Sequence, residues 1–522
     1  SGDFTFTRGS NLAATRVASN GLIEKGRENL LLQSNNFDTT PWSGAASTLS
    51  GQSGYDGTSD AWLITKSGTF DSRRQVITNS SVGTFSVYAK AGSYNWMLLH
   101  IEDAAGDCLA NFDLSTGTLG SLTNGITSKI EDVGSGWYRC SATFNRNVTD
   151  VRIYPSESGG YTGTSGSIYI QDAQLEAGLV ATSYIESGAT TGKAGLLENE
   201  PRIDFTGGGC GSLLLEPSRT NLIAYSEDFT TRGGLWQTFG NLTKTLFAAT
   251  SPDGYDTAAH ITGLNGDGTN DLRYAFPYNT ANKTLTYSVY LKGSGTLRLQ
   301  MSNGVDQARN EDITLTSDWK RHSVSGTFNS TSVSTIYLVV DDFDGKTATE
   351  YHIWGAQLEE GSYPTSYIPT YGSSVTRSGE SGVSDVNSLL TSNATYTWMV
   401  EFIVPEVGNG GGEITFKNTS GSSQLRIYCN QNNMVGLRVD DNSQNYYIPV
   451  SVGDTAKCLF QCTDGLVKGF YNGSLVKTFT IDTGMDAQKI HLGPPVSAPE
   501  VKQVLLFNTA LTDEECSALT QP

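Results

Sequence analysis

Short runs in which hydrophobic and polar residues alternate follow one another along most of the chain. Residues 61–64, 84–90 and 137–144 show this pattern, and Gly-, Asn-, Ser- and Asp-rich stretches separate such runs. Because successive side chains of a strand point to opposite faces, alternation predicts strands with one buried face. Many short strands joined by turns are typical of antiparallel sandwiches, so we expect an all-β protein.

Two sequence patterns each occur twice. Residues 170–185, which include Ala-Gln-Leu-Glu and Thr-Ser-Tyr-Ile, return in similar form at residues 353–368. Residues 27–37 return at residues 219–229. We therefore predict one sandwich module that is present twice, with these patterns as its first and last strands.

The repeats and the stretches between them predict six segments. Asn20-Gly21 favours a hairpin turn, residues 372–388 are rich in Gly and Ser like a linker, and Thr512-Asp-Glu-Glu515 predicts a capping box before a short helix. The predicted segments are a hairpin adaptor at 1–26, a first sandwich at 27–187, a hairpin adaptor at 188–218, a second sandwich at 219–371, a linker at 372–388 and a different sandwich at 389–522.

Charge and cysteine content narrow the classes of partner. The chain has 34 basic and 53 acidic residues, a formal net charge of −19, and no basic cluster. Phosphate binding needs clustered cations, so nucleic acid is not an expected partner. No apolar run approaches the length of a membrane span, so no membrane partner is expected. Seven scattered cysteines do not suggest a disulfide framework, and free thiols indicate assembly in a reducing cytosol.

Several segments resemble proteins of tailed bacteriophages. Residues 354–370 and the following Val375-Thr-Arg377 resemble a segment common in phage tail, fibre and head-appendage proteins, as do residues 4–8, 14–17 and 21–24. In those proteins such segments bracket jelly-roll modules similar to family 4/9-type carbohydrate-binding modules. Residues 504–515 resemble the closing strand and helix of concanavalin A/laminin G-type sandwiches. The resemblance implies two repeated antiparallel jelly-roll sandwiches plus a C-terminal concanavalin A-like sandwich, in a virion assembled in the host cytoplasm.

No pattern typical of an enzyme is visible. Glycosidases need two carboxylates across a cleft, whereas the strands predicted at residues 395–403 and 413–416 carry one acidic residue each. The five histidines lie outside any recognisable nucleophile motif and are interpreted as core or surface residues. Glu176 and Glu359, in the repeated pattern, are expected to hydrogen-bond the segment that leaves each sandwich. The chain is therefore expected to have no catalytic residues.

A structural Ca²⁺ ion is implied by the resemblance to jelly-roll carbohydrate modules. Such modules hold calcium through oxygens from the first strand region and the last strand, and Asp38 and Asp172 match these positions in the first sandwich. The second sandwich departs from the pattern because Gly355 stands where the first has Asp172. The resemblance therefore gives Asp38 and Asp172 as a candidate calcium site, and the absence of any cofactor is the alternative.

Sugar binding uses aromatic faces together with planar polar groups. Aromatic residues that recur in both copies, such as Trp137 and Trp319, are expected to pack in the core. Aromatics in one copy only are freer to bind a ligand, although packing is the alternative role for each; in the first sandwich they include Tyr154 and Tyr161. The predicted ligand-binding residues are Trp62, Arg73, Arg74, Tyr94 and Trp96 in the first sandwich, Tyr274, Tyr278 and Trp354 in the second, and Tyr446 and Tyr447 in the last.

Three functions remain open from the sequence. The first is a non-enzymatic virion fibre or appendage protein that adheres to bacterial-surface or environmental polysaccharide, contacts other virion proteins and forms a homo-oligomer, with a trimer as the expected state for a fibre. The second is a structural capsid or tail decoration protein. The third is a secreted polysaccharide-degrading enzyme with accessory modules.

Overall fold

The computed structural model describes residues 4–8, 12–206, 208–230, 236–330, 333–343, 345–386, 389–390, 395–405, 413–418, 420–430, 432–440, 444–463, 465–481, 488–493 and 500–522. Regular structure in these residues is almost entirely β-strand, so the prediction of an all-β protein is confirmed. The exception is the helix α1 (Asp513–Leu519), which follows the predicted capping box of Thr512 and Glu515. None of the helical structure described here is long and apolar enough to cross a membrane.

The first sandwich follows three N-terminal strands, β1 (Thr5–Thr7), β2 (Thr15–Val17) and β3 (Ile23–Asn29). Its own strands are β4 (Ser47–Gln52), β5 (Ala61–Lys66), β6 (Arg73–Ala91), β7 (Trp96–Glu102), β8 (Cys108–Asp113), β9 (Thr118–Thr123), β10 (Thr127–Gly134), β11 (Trp137–Ser156) and β12 (Gly166–Ala177). The long strands β6 and β11 pair along most of their lengths. The second half of β6 also pairs with β12, and the second half of β11 with β7, so both strands pass through the two layers.

In the second sandwich, two shorter strands take the place of each of these long strands. Three short strands lie between the two sandwiches in the sequence, namely β13 (Gly192–Gly195), β14 (Ile203–Asp204) and β15 (Ser212–Leu214). The sandwich contains β16 (Arg219–Asn221), β17 (Trp236–Phe239), β18 (Thr243–Ala249), β19 (Ala258–Thr262), β20 (Asp271–Pro277), β21 (Lys283–Gly293), β22 (Thr296–Ser302), β23 (Gln307–Thr314), β24 (Lys320–Phe328), β25 (Thr335–Asp341) and β26 (Glu350–Glu360). They form two five-stranded sheets, ordered β17-β20-β25-β22-β23 and β18-β19-β26-β21-β24, with β16 outside them.

The repeated glutamates make the same hydrogen bonds in both sandwiches. Glu176 accepts from the backbone nitrogen and Oγ1 of Thr182 at 2.9 and 2.6 Å. Glu359 accepts from the same two atoms of Thr365, each at 2.7 Å. Both carboxylates are buried and fasten the segment that leaves the last strand, which confirms the expected structural role.

The C-terminal sandwich follows β27 (Val375–Arg377) and consists of two sheets of seven strands. Its strands are β28 (Ser381–Asp385), β29 (Tyr396–Ile403), β30 (Glu413–Lys417), β31 (Ser423–Asn430), β32 (Met434–Val439), β33 (Gln444–Pro449), β34 (Thr455–Thr463), β35 (Leu466–Tyr471), β36 (Ser474–Thr480), β37 (Lys489–Leu492) and β38 (Glu500–Phe507), joined by β1, β14 and β15 from earlier in the chain.

The segments predicted as adaptors and linker therefore do more than connect the sandwiches, because they contain strands that pair with distant parts of the chain. β2 and β3 form the predicted hairpin, but β1 leaves it and pairs with β28. The predicted hairpin of β14 and β15 pairs through β15 with β38. Residues 372–388, predicted as a linker, contain β27, which pairs with β16, and β28. Local composition reveals a short strand or turn, but the pairing partners lie far away in the sequence.

A buried ionic cluster lies where these segments meet. Arg202 pairs with Glu216 at 2.8 Å and also binds Glu380. Arg377 pairs with Glu216 at 2.7 Å, and Arg8 with Glu380 at 2.9 Å. These five residues, which we call the arginine clamp, connect the N-terminal segment, the middle hairpin and the segment that leads into the last sandwich.

Candidate functional site

A cleft on the first sandwich brings aromatic and charged side chains together. On β11, Arg152 lies opposite both Arg74 of β6 and His100 of β7. The neighbouring Val151 and Ile153 are buried in the core. Because side chains alternate along a strand, the two arginines and the histidine form one row across three strands on the face away from the core.

The cleft has a volume of about 520 Å³. Its lining includes Phe70, Arg74, His100, Arg152, Tyr154 and Tyr161. Gly44, on the rim, has a φ of 121°, and a Cβ there would lie 2.1 Å from the carbonyl oxygen of Ser72. Only glycine fits such a close approach without displacing the backbone, so the rim lies directly against the start of β6.

Three aromatic side chains form one wall of the cleft. Phe70 is 69% exposed, and its ring centroid lies 5.5 Å from that of Tyr161. Tyr161 meets Tyr154 edge to face at 5.2 Å, and its hydroxyl lies 3.1 Å from Nδ1 of His100. Burial raises the pKa of Tyr161 to about 12 and lowers the pKa of His100. Both rings are therefore neutral at pH 7 and can exchange hydrogen bonds with a neutral ligand.

Charged groups form the floor beside this wall. Arg152 donates to the two oxygens of Asp150 at 2.6 and 2.9 Å and also pairs with Glu102. Nε2 of His100 lies 3.2 Å from a carboxylate oxygen of Asp107. Burial raises the pKa of Asp150. These contacts hold planar polar groups in fixed orientations, as recognition of ligand hydroxyls requires.

Of the two adjacent arginines predicted to bind ligand, the structure brings Arg74 into the cleft. Arg73 points to the other face of β6, where its guanidinium donates to the carbonyl of Gly44 at 3.2 Å and also to that of Phe37. Arg73 thus fastens the loop beneath the rim. The different roles follow from strand alternation, which sends neighbouring residues to opposite faces.

The three remaining predicted residues of the first sandwich serve packing. The Trp62 indole donates to the carbonyl of Asn35 at 2.9 Å. The Tyr94 hydroxyl accepts from the backbone nitrogen of Ser165 at 3.1 Å. Trp96 lies on the same face of β7 as His100, but it is half-buried against Gly120, outside the cleft lining.

The predicted residues of the second sandwich do not gather at one site. Tyr274 is buried in the core, and its hydroxyl accepts from the backbone nitrogen of Ala224 at 3.1 Å. Trp354 is also buried, and its indole donates to Oγ1 of Thr257 at 3.1 Å. The Tyr278 hydroxyl accepts from Lys283 at 2.8 Å and donates to Glu360.

The two tyrosines predicted in the last sandwich lie on opposite faces of β33. Tyr446 packs against the core. Tyr447 is exposed beside Tyr428, with ring centroids 6.1 Å apart. Adjacent positions on a strand cannot face the same ligand, so at most Tyr447 is available on this sheet face.

The geometry gives no support to the calcium ion expected at Asp38 and Asp172. The exposed Asp38 accepts from Oγ1 of Thr48 at 3.2 Å, whereas Asp172 is buried and accepts from the Tyr55 hydroxyl at 2.9 Å. Within the described ranges, no group of three or more His, Cys, Asp or Glu residues is arranged to hold a metal. Asp172 has a φ of 53° at a β-bulge, and Gly355, with a φ of 63°, occupies the matching bulge of the second sandwich. This position therefore requires a left-handed backbone in both copies.

Sequence reasoning missed Phe70, His100 and Arg152. A signal existed for Arg152, because its alternation with the apolar Val151 and Ile153 is typical of a strand that places Arg152 on the polar face. His100 was interpreted as a core or surface residue, since a single histidine has no distinguishing spacing. Phe70 lies in a turn, where no periodic pattern indicates which way its side chain points.

Comparison with known proteins finds only limited structural similarity. No protein-family profile matches the chain, and no curated protein matches it. Among solved structures, the enzymatically active domain of bacteriophage CBA120 tailspike protein 4 matches 27% of this chain and 21% of its own length, at 7% identity and a TM-score of 0.22. The tandem CBM22 domain of Paenibacillus barcinonensis Xyn10C matches 64% of this chain and 97% of its own, at 12% identity and a TM-score of 0.24. Sheep galectin-11 in complex with glycerol matches 24% and 96%, at 12% identity and a TM-score of 0.19.

TM-scores this low establish neither common ancestry nor a shared ligand. The chain's own topology defines an all-β protein of three antiparallel sandwiches. The first sandwich carries an aromatic and charged cleft on one of its sheet faces.

Proposed function

We propose that the chain is a non-enzymatic adhesin that binds polysaccharide in the cleft of the first sandwich. The observation that carries this proposal is Phe70, a large aromatic side chain that is 69% exposed at the edge of a polar cleft. Exposed aromatic rings in concave sites favour ligands with both apolar and polar faces. A sugar ring has C–H faces that pack on aromatic rings and hydroxyls that hydrogen-bond to planar polar groups.

The floor of the cleft supports binding without catalysis. Asp150 and Glu102 both bind the same guanidinium, that of Arg152. Glycoside hydrolysis needs two carboxylates in separate environments, one protonated and one ionised. Incubation with the bound polysaccharide is expected to release no reducing sugar or unsaturated product, and release that depends on Asp150 would contradict this part of the proposal.

The biological setting that we propose is a phage virion appendage. The resemblance of residues 4–8 and 354–370 to segments of phage tail, fibre and head-appendage proteins supports this setting. The partners would then be bacterial-surface or environmental polysaccharide, other virion proteins and further copies of this chain. Mass spectrometry of purified virions is expected to detect the chain, and its absence from particles would reject the setting while leaving the adhesin proposal intact.

Binding can be tested with the full chain and a matched pair of variants. Phe70→Ala removes the exposed ring from the cleft, whereas Leu49→Ala truncates an exposed apolar residue elsewhere in the same sandwich. We expect Phe70→Ala to weaken binding to a glycan identified on an array by about tenfold or more, because central aromatic contacts dominate binding energy. Leu49→Ala should bind like the wild type. The proposal fails if no glycan binds, or if both variants bind equally well.

A further inference from the structure

The cleft contains a cation without a hydrogen-bonded counterion. The Arg74 side chain is 44% exposed, and its nearest carboxylate oxygen, on Asp150, is 3.9 Å from Nη1. That distance is too long for a hydrogen bond. Among the described residues, no hydrogen bond joins this guanidinium to another protein group, so its planar set of N–H donors faces the cleft.

The two arginines beside Arg74, namely Arg73 and Arg152, both use their guanidinium groups in hydrogen bonds to protein. Arg73 donates to backbone carbonyls, and Arg152 is held by Asp150 and Glu102. Arg74 also lies directly opposite Arg152 in the β6–β11 ladder. Like charges at opposed positions destabilise a sheet, and the contact that Arg74 makes in return is the 3.9 Å ion pair with Asp150.

The carboxylates of the cleft are already engaged. Arg152 binds Asp150 and Glu102, and Asp107 lies against His100. Of the two arginines that line the cleft, Arg74 is therefore the one whose guanidinium has no hydrogen bond to another protein group among the described residues. A ligand anion placed at Arg74 would satisfy its fork of donors, to which carboxylate and sulfate oxygens are well matched.

We propose that the cleft selects an anionic saccharide, with Arg74 pairing to a carboxylate or sulfate group on the sugar while Phe70 packs against the ring. This specificity rests on the proposed glycan-binding function. Carboxylate and sulfate present the same chemistry to Arg74, so uronic acid and sulfated glycans are both candidate sources of the anion.

The test compares anionic glycans with neutral counterparts of the same backbone. Full-length protein is titrated with uronic acid oligosaccharides and their methyl esters, and with sulfated oligosaccharides and their desulfated forms. The wild type should prefer the anionic member of at least one pair by about tenfold or more, as expected for a charge-assisted hydrogen bond. Arg74→Gln should reduce that preference by a similar factor, and Arg309→Gln, which removes an exposed arginine of the second sandwich, should keep it.

The salt dependence of the anionic preference is a second readout, and a variant that fails to fold would not reproduce the expected result. The anionic preference should fall between 0.05 and 0.5 M NaCl in the wild type and change little in Arg74→Gln, because screening acts on the removed charge (~10 Å Debye length at ~0.1 M). Binding of the wild type to neutral glycans alone, or an unchanged preference in Arg74→Gln, would overturn the specificity while leaving the adhesin intact. Absence of binding to any glycan would overturn both.

Discussion

Replacing Arg202 by Met should loosen the attachment of the last sandwich to the rest of the chain. The Arg202 side chain is 0% exposed. Its guanidinium donates to the carbonyl of Thr15 at 2.9 Å, to Glu216 at 2.8 Å and to Glu380 at 2.6 Å. Three segments that are distant in sequence thus converge on one side chain. Methionine fills a similar volume but supplies none of these donors.

The expected loss of stability follows from the two carboxylates that remain. Removing one partner of a buried ion pair typically costs about 3–5 kcal/mol, because the other charge stays buried. Arg377 still neutralises Glu216, and Arg8 still pairs with Glu380, so the lower end of this range is expected. About 3 kcal/mol corresponds to roughly a hundredfold increase in the population of locally opened molecules.

Hydrogen–deuterium exchange of the full chain measures this local opening directly. The amides of β1, β15 and β28 should exchange roughly a hundredfold faster in Arg202→Met, while β7 and β11 of the first sandwich stay protected. The matched control is Arg16→Met, because Arg16 pairs with Glu24 in a partly exposed position. A pair of that kind contributes about 0–1 kcal/mol. Equal exchange in the two variants would refute the role of the arginine clamp in holding these strands together.

The pH dependence of the clamp gives an independent check. Burial alone would raise the pKa of Glu216, but Arg377 and Arg202 outweigh it and bring the pKa to about 2. Because the folded pKa lies below the ordinary value, stability from this carboxylate is complete above about pH 4.5 and is lost as pH falls towards 2. Protection of β15 should therefore decline over this range in the wild type, and less steeply in Arg202→Met.

Two further predictions concern the repeated strand ends. Glu359→Gln keeps the shape but replaces one acceptor oxygen of the carboxylate that binds Thr365, so thermal unfolding should show a loss of about 1–3 kcal/mol, and unchanged melting would contradict the fastening role. Burial raises the pKa of Asp172 to about 7, so its contribution to stability is complete below about pH 4 and is lost as pH rises through 7. Asp172→Asn should remove this pH dependence, worth at most about 4 kcal/mol, and identical melting curves of both proteins at pH 5 and pH 8 would reject it.

The repeat made the role of matching residues readable from sequence because each copy reports on the other. Glu176 and Glu359 were predicted to be structural because their pattern repeats, alternates like a strand and precedes each adaptor, and each accepts from the backbone of the matching threonine, Thr182 or Thr365. The mismatch at Asp172 and Gly355 also has one physical cause, a bulge that requires positive φ. A difference between copies that looked like the loss of a metal ligand reflects a shared backbone shape.

Partners of short strands were not readable in this way. Residues 4–6 alternate as a strand, but nothing in their pattern indicates pairing with β28, more than 370 residues later, where Thr5 meets Val383. The same limit applies to the cleft. Alternation predicts which residues share a face of one strand, whereas the row of Arg74, Arg152 and His100 depends on the register of three strands, which tertiary packing sets.

Interlocked strands also determine how ligand binding can be assayed. A fragment that ends at residue 187 would contain the cleft, but it would lack β13, which pairs with β3. It would also leave β1 without its partner β28. Conversely, a fragment that starts at residue 389 would lack four strands of the last sandwich, namely β1, β14, β15 and β28. Unpaired strand edges promote aggregation, so a failure of such fragments to bind glycan would report on their folding. The binding experiments therefore require the full chain, with single substitutions in the cleft as the perturbation.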